Sequence, residues 1–369
     1  MPGGTDAARG VMGLPVASVQ QALLEWYRKN RRDLPWRRTD DPYRIWLSEV
    51  MLQQTRVDTA ISYYERFIER FPTLHDLAAA DLDEVLALWA GLGYYNRARN
   101  LHAAVREVAA AYSGRVPAEP EAFGALPGVG PYTTAAVLSI AYGKPLPAVD
   151  GNVQRVLARL CGVSEPVDRA SGRRAVQDAA AALVPDDAPG DWNQALMELG
   201  ALVCRPASPN CSACPLRAWC RAAEDGTADV LPVVQGRTAV RPVERLVAGI
   251  VADNALLFVQ RPSEGLLAGM WELPALEAAP GTWPSPLARE RALRGLLHEL
   301  GVRVQGTLRF CGRTEHRFSH VEWRMWVYRC DAQGPPPAGL RAVALDRVLA
   351  LPTATGIKKT LRLAVQQMG

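Results

Sequence analysis

The sequence predicts a multidomain protein, an all-α half followed by an α+β half, and three observations predict it. At 369 residues the chain exceeds what one hydrophobic core usually organises. From about Ser18 to Cys204 apolar residues recur at three and four, the spacing of helices that bury one face. Beyond Leu246 the period falls to two, clearest where Val321, Trp323, Met325 and Val327 alternate with Glu322 and Arg324, as a half-buried strand requires.

Residues 1–15 are glycine-rich and lack a sustained apolar run, so a flexible terminus is expected there and not a signal peptide. A helical domain over 16–222 follows, with helices expected at Ser18–Lys29, Pro42–Gln54, Leu82–Leu88, Asn96–Ala111, Thr133–Ala141, Asn152–Leu160 and Asp191–Val203. The stretch 223–244 is short of large apolar residues and carries Gly226, Pro232, Gly236 and Pro242, the composition of an interdomain linker. In the second domain, 245–369, Leu246–Val251 and Leu256–Gln260 read as strands across a turn at Asp253-Asn254. Arg289–Leu300 and Thr355–Gln367 have helical spacing, which makes this half α+β.

Composition excludes little: 49% apolar and 22% charged residues suit a globular chain that needs no staples, and a net charge of +4 permits a polyanionic partner without demanding one. No run of eighteen apolar residues occurs, so no membrane span is expected. The informative cysteines are Cys204, Cys211, Cys214 and Cys220, spaced C-x6-C-x2-C-x5-C. Four thiolates from one short loop can close around an iron-sulfur cluster, zinc or Cu(I), and imply a reducing compartment. Zinc sites usually present two close pairs of ligands. Only Cys211 and Cys214 form such a pair, so an iron-sulfur cluster is the expected cofactor.

Leu126-Pro127-Gly128-Val129-Gly130 lies between helical segments. Its glycines let a partner approach the backbone, and amides at the start of the following helix can bind a phosphate. Gly128, Val129 and Gly130 are therefore candidate contacts to a phosphate. Two carboxylates supply acid-base chemistry. Glu49 shares a helical face with Ile45 and Leu52, and a carboxyl on an apolar face resists ionisation and becomes an acid near neutral pH. Asp150 precedes Gly151 and Asn152 at a helix start, where it would cap the helix and remain an anion. An acid and an anion flanking a glycosidic bond are the pair that cleaves through an oxocarbenium-like state. Tyr132 and Asn152 are expected as supporting donors that orient Asp150 or the leaving group.

The hairpin glycines combined with the later cysteine cluster resemble the helix-hairpin-helix DNA glycosylases that carry a 4Fe-4S cluster. The bifunctional, endonuclease III-like members place a Schiff-base lysine two residues after the second hairpin glycine. Tyr132 stands there and cannot form an imine, which implies a monofunctional enzyme using water. Leu47-Ser48-Glu49-Val50-Met51-Leu52-Gln53-Gln54-Thr55, Gly91-Leu92-Gly93-Tyr94-Tyr95, Ala148-Val149-Asp150-Gly151-Asn152-Val153 and Glu198-Leu199-Gly200-Ala201 resemble the MutY-type adenine DNA glycosylases, with similarity from Ser18 onward.

That resemblance implies removal of adenine mispaired with 8-oxoguanine or guanine in double-stranded DNA, by a monomer in base excision repair. In a bacterium it implies a cytoplasmic, nucleoid-associated protein. Glu49 would protonate adenine at N7 and Asp150 would stabilise or transiently bond C1′. Gln54 and Tyr94 match wedge residues near the orphan base. Arg32, Trp36, Arg37, Leu52, Gln194 and Met197 match the adenine pocket, with Glu198 beside them. Phe318, Ser319 and His320 resemble the Phe-Ser-His loop that recognises 8-oxoguanine, in which a serine hydroxyl can detect the protonated N7 of the oxidised base.

The second half resembles a Nudix hydrolase, which raises nucleotide hydrolysis as a rival function. That chemistry needs several carboxylates on one helix to hold Mg2+. In Arg294-Gly295-Leu296-Leu297-His298-Glu299-Leu300-Gly301, Gly295 and His298 replace the expected glutamates, so the fold is expected to serve recognition alone. An endonuclease III-like lyase and a protein that only binds mispairs are the remaining rivals.

Overall fold

The computed structural model describes residues 13–236, 240–262, 264–348 and 353–366. The expected flexible terminus lies outside the described residues as far as residue 12, as do 237–239 of the expected linker. Two compact units divide the chain, Met1–Asp81 with Arg99–Arg237, and Leu82–Ala98 with Thr238–Gly369. No helix among the described residues is long and apolar enough to cross a membrane.

The first unit is built from helices: α1 (Val16–Asn30), α2 (Pro42–Leu52), α3 (Val57–Arg70), α4 (Leu74–Ala79), most of α6 (Asn96–Ala111), α7 (Pro120–Gly124), α8 (Pro131–Tyr142), α9 (Gly151–Cys161), α10 (Ala170–Leu183), α11 (Pro189–Leu202) and the single turn α12 (Arg221–Glu224). The boundaries have local causes. Pro42 occupies the first turn of α2 and Asp41 caps it by accepting from the Tyr43 amide at 2.9 Å. The helix stops at Leu52, two residues before the expected Gln54, because Gln54 turns to a φ of 56°. Helix α8 starts on Pro131 and ends at Gly143, and α9 ends at Gly162, both glycines being left-handed. The core gathers Leu23 and Tyr27 of α1, Leu157 of α9, Val176 of α10 and Trp192 and Leu196 of α11. Helix α11 packs on α1, α8 and α9. Its approach to α9 requires Gly200, where a Cβ would come within 2.7 Å of the Asn152 side chain.

The second unit contains α5 (Leu82–Trp89) and a mixed seven-stranded sheet of β1 (Arg241–Ala252), β2 (Ala255–Gln260), β3 (Trp271–Glu272), β4 (Ala275–Ala278), β5 (Arg303–Arg317), β6 (Val321–Gln333) and β7 (Leu340–Ala344). Strands β1 and β6 run parallel, pairing Val243 with Trp323 and Val247 with Val327, while the other pairs are antiparallel. Helices α13 (Pro286–Glu299) and α14 (Thr355–Val365) pack on the sheet. Leu293 and Leu297 of α13 meet Leu246, Ile250, Leu257 and Tyr328 in its core. Asp253 and Asn254 both have positive φ, the geometry of a tight two-residue hairpin.

Two domain expectations differ from what is observed. The second domain's first strand begins at Arg241 and not at Leu246, because Glu244 and Arg245 are buried polar residues whose presence hides the strand's periodicity. Leu82–Ala98, expected within the helical domain, groups with the second unit. There Tyr95 donates to the Thr353 carbonyl at 3.3 Å. Helical spacing records that a face is buried and not which core buries it.

Candidate active site

A cavity of about 670 Å³ opens in the first unit, walled by α2, the hairpin before α8, the start of α9 and the middle of α11. Glu49, Asp150, Tyr132 and Asn152 all line it, together with Arg32, Trp36, Arg37, Leu52, Gln54, Gln194, Met197 and Glu198. Gly128 and Gly130 form part of the rim, whereas the Val129 side chain is buried.

Glu49 is buried on the third turn of α2 beside Ile45. Burial is the main cause that lifts its carboxyl, and the nearby Asp150 charge adds to it. A hydrogen bond from Tyr132 and the charge of Arg37 oppose the rise, and the pKa settles at about 7. The Tyr132 hydroxyl donates to Glu49 Oε2 at 2.7 Å and lies 3.4 Å from Met197 Sδ. It is thus committed to the glutamate and not to Asp150. Burial and the two neighbouring carboxylates hold this phenol well above its ordinary pKa, so it remains a donor.

Asp150 is the N-cap of α9: Oδ1 accepts from the Val153 amide at 2.7 Å, and Oδ2 accepts from Asn152 Nδ2 at 3.0 Å. Capping and exposure to the cavity coexist in one carboxylate. Asn152 is in turn fixed by Arg155, whose Nη2 donates to Asn152 Oδ1 and to the Gly200 carbonyl, both at 2.8 Å. Arg155 Nε also donates to the Cys204 carbonyl at 2.8 Å, so one guanidinium joins the cysteine loop to the start of α9. Sequence reading missed Arg155. Its place one turn after Asn152 on the same helix was the available signal.

Glu198, only 1% exposed, accepts from Arg32 and Arg37 through both oxygens. The Arg32 amide adds a further bond at 2.8 Å. Burial alone would raise this carboxyl; the bonds from Arg32 and Arg37 outweigh it and lower the pKa to about 2. Glu198 therefore positions the two arginines more than it offers acceptors to the cavity. Arg37 also lies over the Tyr27 ring at 5.5 Å.

The hairpin conformation is set by Gly128, with a φ of +73° and so little room that a Cβ would meet Asn100 at 2.6 Å. At Gly130 a Cβ would meet nothing within 4 Å, so its backbone faces open space at the first turn of α8, whose leading amides have no preceding helical carbonyl. The other expected residues lie in the second unit. Tyr94 is 48% exposed with a φ of 49°. Phe318, Ser319 and His320 form the turn between β5 and β6, with Ser319 and His320 exposed. On α13 Gly295 and His298 point outwards with Glu299, and no carboxylate set gathers there.

Cys204, Cys211, Cys214 and Cys220 are free thiols lining one small cavity with Arg159 and Leu216. Arg159, itself buried, donates to Cys204 Sγ at 3.3 Å and to the Arg205 and Pro206 carbonyls. Among the described residues no three His, Cys, Asp or Glu side chains form a set able to hold a metal ion. Four convergent thiols without a disulfide nevertheless suit a larger sulfur-ligated group.

Comparison with known proteins places this geometry. Residues 47–182 match the HhH-GPD superfamily of base excision DNA repair proteins, and residues 246–363 match the NUDIX domain. The adenine DNA glycosylase of Homo sapiens is 37% identical over 94% of this chain and 74% of its own length. That of Rattus norvegicus is 36% identical over 94% and 78%. Among solved structures, a thermostable thymine-DNA glycosylase superposes with a TM-score of 0.51 and 31% identity, over 57% of this chain and 97% of its own.

Proposed function

We propose, because the chain belongs to the adenine DNA glycosylase family, that it excises adenine paired with 8-oxoguanine or guanine in duplex DNA, using Glu49 as acid and Asp150 as anion. The observation that carries this reading is the meeting of a carboxyl lifted to about 7 and a helix-capping carboxylate on the wall of one cavity, with a phenol where a lyase would need an amine.

The chemistry follows from those groups. Adenine leaves the stack and enters the cavity, at a cost of about a few kcal/mol that is least for a mispair. Tyr132 occupies Glu49 Oε2, which leaves the proton on Oε1. Transfer of that proton to adenine N7 draws electrons from the glycosidic C1′–N9 bond, and the bond breaks with its pair on the base. The oxocarbenium charge on the sugar is stabilised by Asp150, held in place by Asn152 and the Val153 amide. Water adds to C1′, and its proton restores the Glu49 acid. Gln194 can present both a donor and an acceptor to the adenine edge. The backbone at Gly128 and Gly130 receives a DNA phosphate. Gln54, held at positive φ, fills the vacated stack, and Tyr94, also at positive φ, is a DNA contact of the second unit. Phe318, Ser319 and His320 read the opposite base, and the enzyme acts as a monomer.

Cys204, Cys211, Cys214 and Cys220 would hold a 4Fe-4S cluster, which supplies a structural tie for the loop while glycosidic hydrolysis itself transfers no electron. Iron and acid-labile sulfide in equal amounts are expected in the purified protein and are lost in Cys204→Ser. For the activity, single-turnover assays compare A:8-oxoguanine, A:G and A:T duplexes, with borohydride added in parallel. Free adenine from the two mispairs and an intact abasic strand are expected. Intact adenine in all three, or efficient borohydride trapping, sinks the proposal.

A further inference from the structure

The second unit holds a charged cluster near the Phe318–His320 turn, with Arg245 and Glu272 buried, Arg261 partly buried and Glu277 exposed. Arg245, 3% exposed, pairs through Nη2 with Glu272 at 2.9 Å and through Nε with Glu277 at 3.1 Å. Arg261 Nη1 pairs with the same two carboxylates, at 2.7 and 3.2 Å. Both guanidinium groups lie over the indole of Trp323, at 3.9 Å for Arg245 and 5.3 Å for Arg261. Trp323 is 1% exposed and meets the Phe318 ring edge-on at 4.8 Å. Phe318 also meets His316, the cross-strand partner of Trp323, at 4.6 Å.

We infer that Trp323, clamped by Arg245, is the positioning residue of the Phe318-Ser319-His320 turn and so a determinant of which base opposite adenine is accepted. This rests on the reading that the turn recognises that base. The group of three rings is bounded by further contacts. His316 abuts Gly356, where a Cβ would come within 2.8 Å of the imidazole, and Lys359 ties α14 to the Glu315 carbonyl at 2.7 Å. The turn's backbone is pinned as well: the Phe318 amide donates to the Val321 carbonyl at 2.7 Å, and the His320 carbonyl accepts from the Arg241 amide at 3.0 Å. Ser319 and His320 are left exposed on an ordered base.

A buried ion pair such as Arg245–Glu272 is a poor device for stability alone, because apolar residues of equal volume often serve as well or better. Its geometric effect is to hold the indole. Cation–π attraction keeps Trp323 against the Arg245 guanidinium, and the near-perpendicular contact with Trp323 then restricts Phe318. Such ordering before binding lets the tip contact a base without first losing its own freedom.

The test uses the full-length chain carrying Trp323→Leu, Arg245→Lys or Ser319→Ala. Arg245→Lys keeps the charge balance while withdrawing the guanidinium from the indole, so it remains informative even where Trp323→Leu fails to fold. The readouts are the ratio of single-turnover rates on A:8-oxoguanine and A:G duplexes, and amide hydrogen exchange over 317–321. Trp323→Leu and Arg245→Lys are expected to lower the ratio about fivefold or more and to speed exchange in the turn, with Trp323→Tyr restoring much of both. A ratio within twofold of wild type in folded Arg245→Lys, alongside a fall in Ser319→Ala, overturns the positioning role and leaves the turn as reader. No fall in Ser319→Ala, with Trp323→Leu and Arg245→Lys also unaltered, overturns the reading itself.

Discussion

Glu49→Gln lowers single-turnover adenine release by about 10²- to 10⁴-fold, the usual contribution of a positioned general acid, while binding to a mispaired duplex persists. The amide keeps the size of the carboxyl and can still accept from Tyr132, so the cavity keeps its shape and loses only the proton. The pH profile supplies a second readout. With a pKa of about 7, Glu49 is the acid below neutrality and an anion above it, so wild-type release falls about tenfold per unit on the alkaline side. The Gln variant lacks that limb.

The substitution moves stability in the opposite sense to activity. The folded pKa lies above the unfolded value of about 4.5, so the protonated carboxyl's contribution is fully present below pH 4.5 and is lost as pH rises through 7. Glu49→Gln therefore melts higher than wild type at pH 8, and the difference shrinks toward pH 5. Thermal unfolding at the two pH values checks the sign. A variant that lost activity and stability together would mark Glu49 as a packing residue.

Much of this was legible in the sequence, and the parts that were not share a cause. Glu49, Asp150 and Tyr132 could be found because each sits at a defined offset from a strong local signal: an apolar helical face, a helix start, a hairpin glycine. Strand β5 could not, since its residues are mostly polar and exposed, and register shifts at Gln305/Arg309 and Phe310/Gly312 break the two-residue alternation. The first residues of β1 were hidden for a related reason. Glu244 and Arg245 are buried, and the Arg245 guanidinium is accommodated inside because Glu272 and Glu277 pair with it from strands more than twenty residues away. Arg159 escaped notice likewise: periodicity expects arginines on a surface, and this one donates to the Leu231 and Arg205 carbonyls and the Cys204 thiol, more than forty residues away. Buried charge is specified by distant partners, which local patterns do not record.

Asp150→Asn separates two roles that one residue performs. As the cap of α9, Asp150 accepts from the Val153 amide, and asparagine caps helices about as well. Folding should survive, with the melting temperature within a few degrees of wild type. The anion is gone, however, and an amide oxygen opposes an oxocarbenium centre far less strongly than a carboxylate does in a site shielded from water. Adenine release is expected to fall about 10²- to 10³-fold, in line with the loss of one preorganised electrostatic partner. Asn152 sharpens the test. In the wild type its Nδ2 donates to Asp150 Oδ2 while Arg155 holds its Oδ1. An asparagine at 150 that presents its own amide nitrogen toward Asn152 would lose that bond, whereas the opposite amide orientation keeps it and gives up the bond to Val153. Asp150→Ala removes cap and charge together and should cost about 1 kcal/mol of stability beyond the Asn variant, with no greater loss of rate. If Asp150→Asn released adenine at the wild-type rate, the carboxylate would be a cap and nothing more, and the sugar cation would need another anion from the cavity wall.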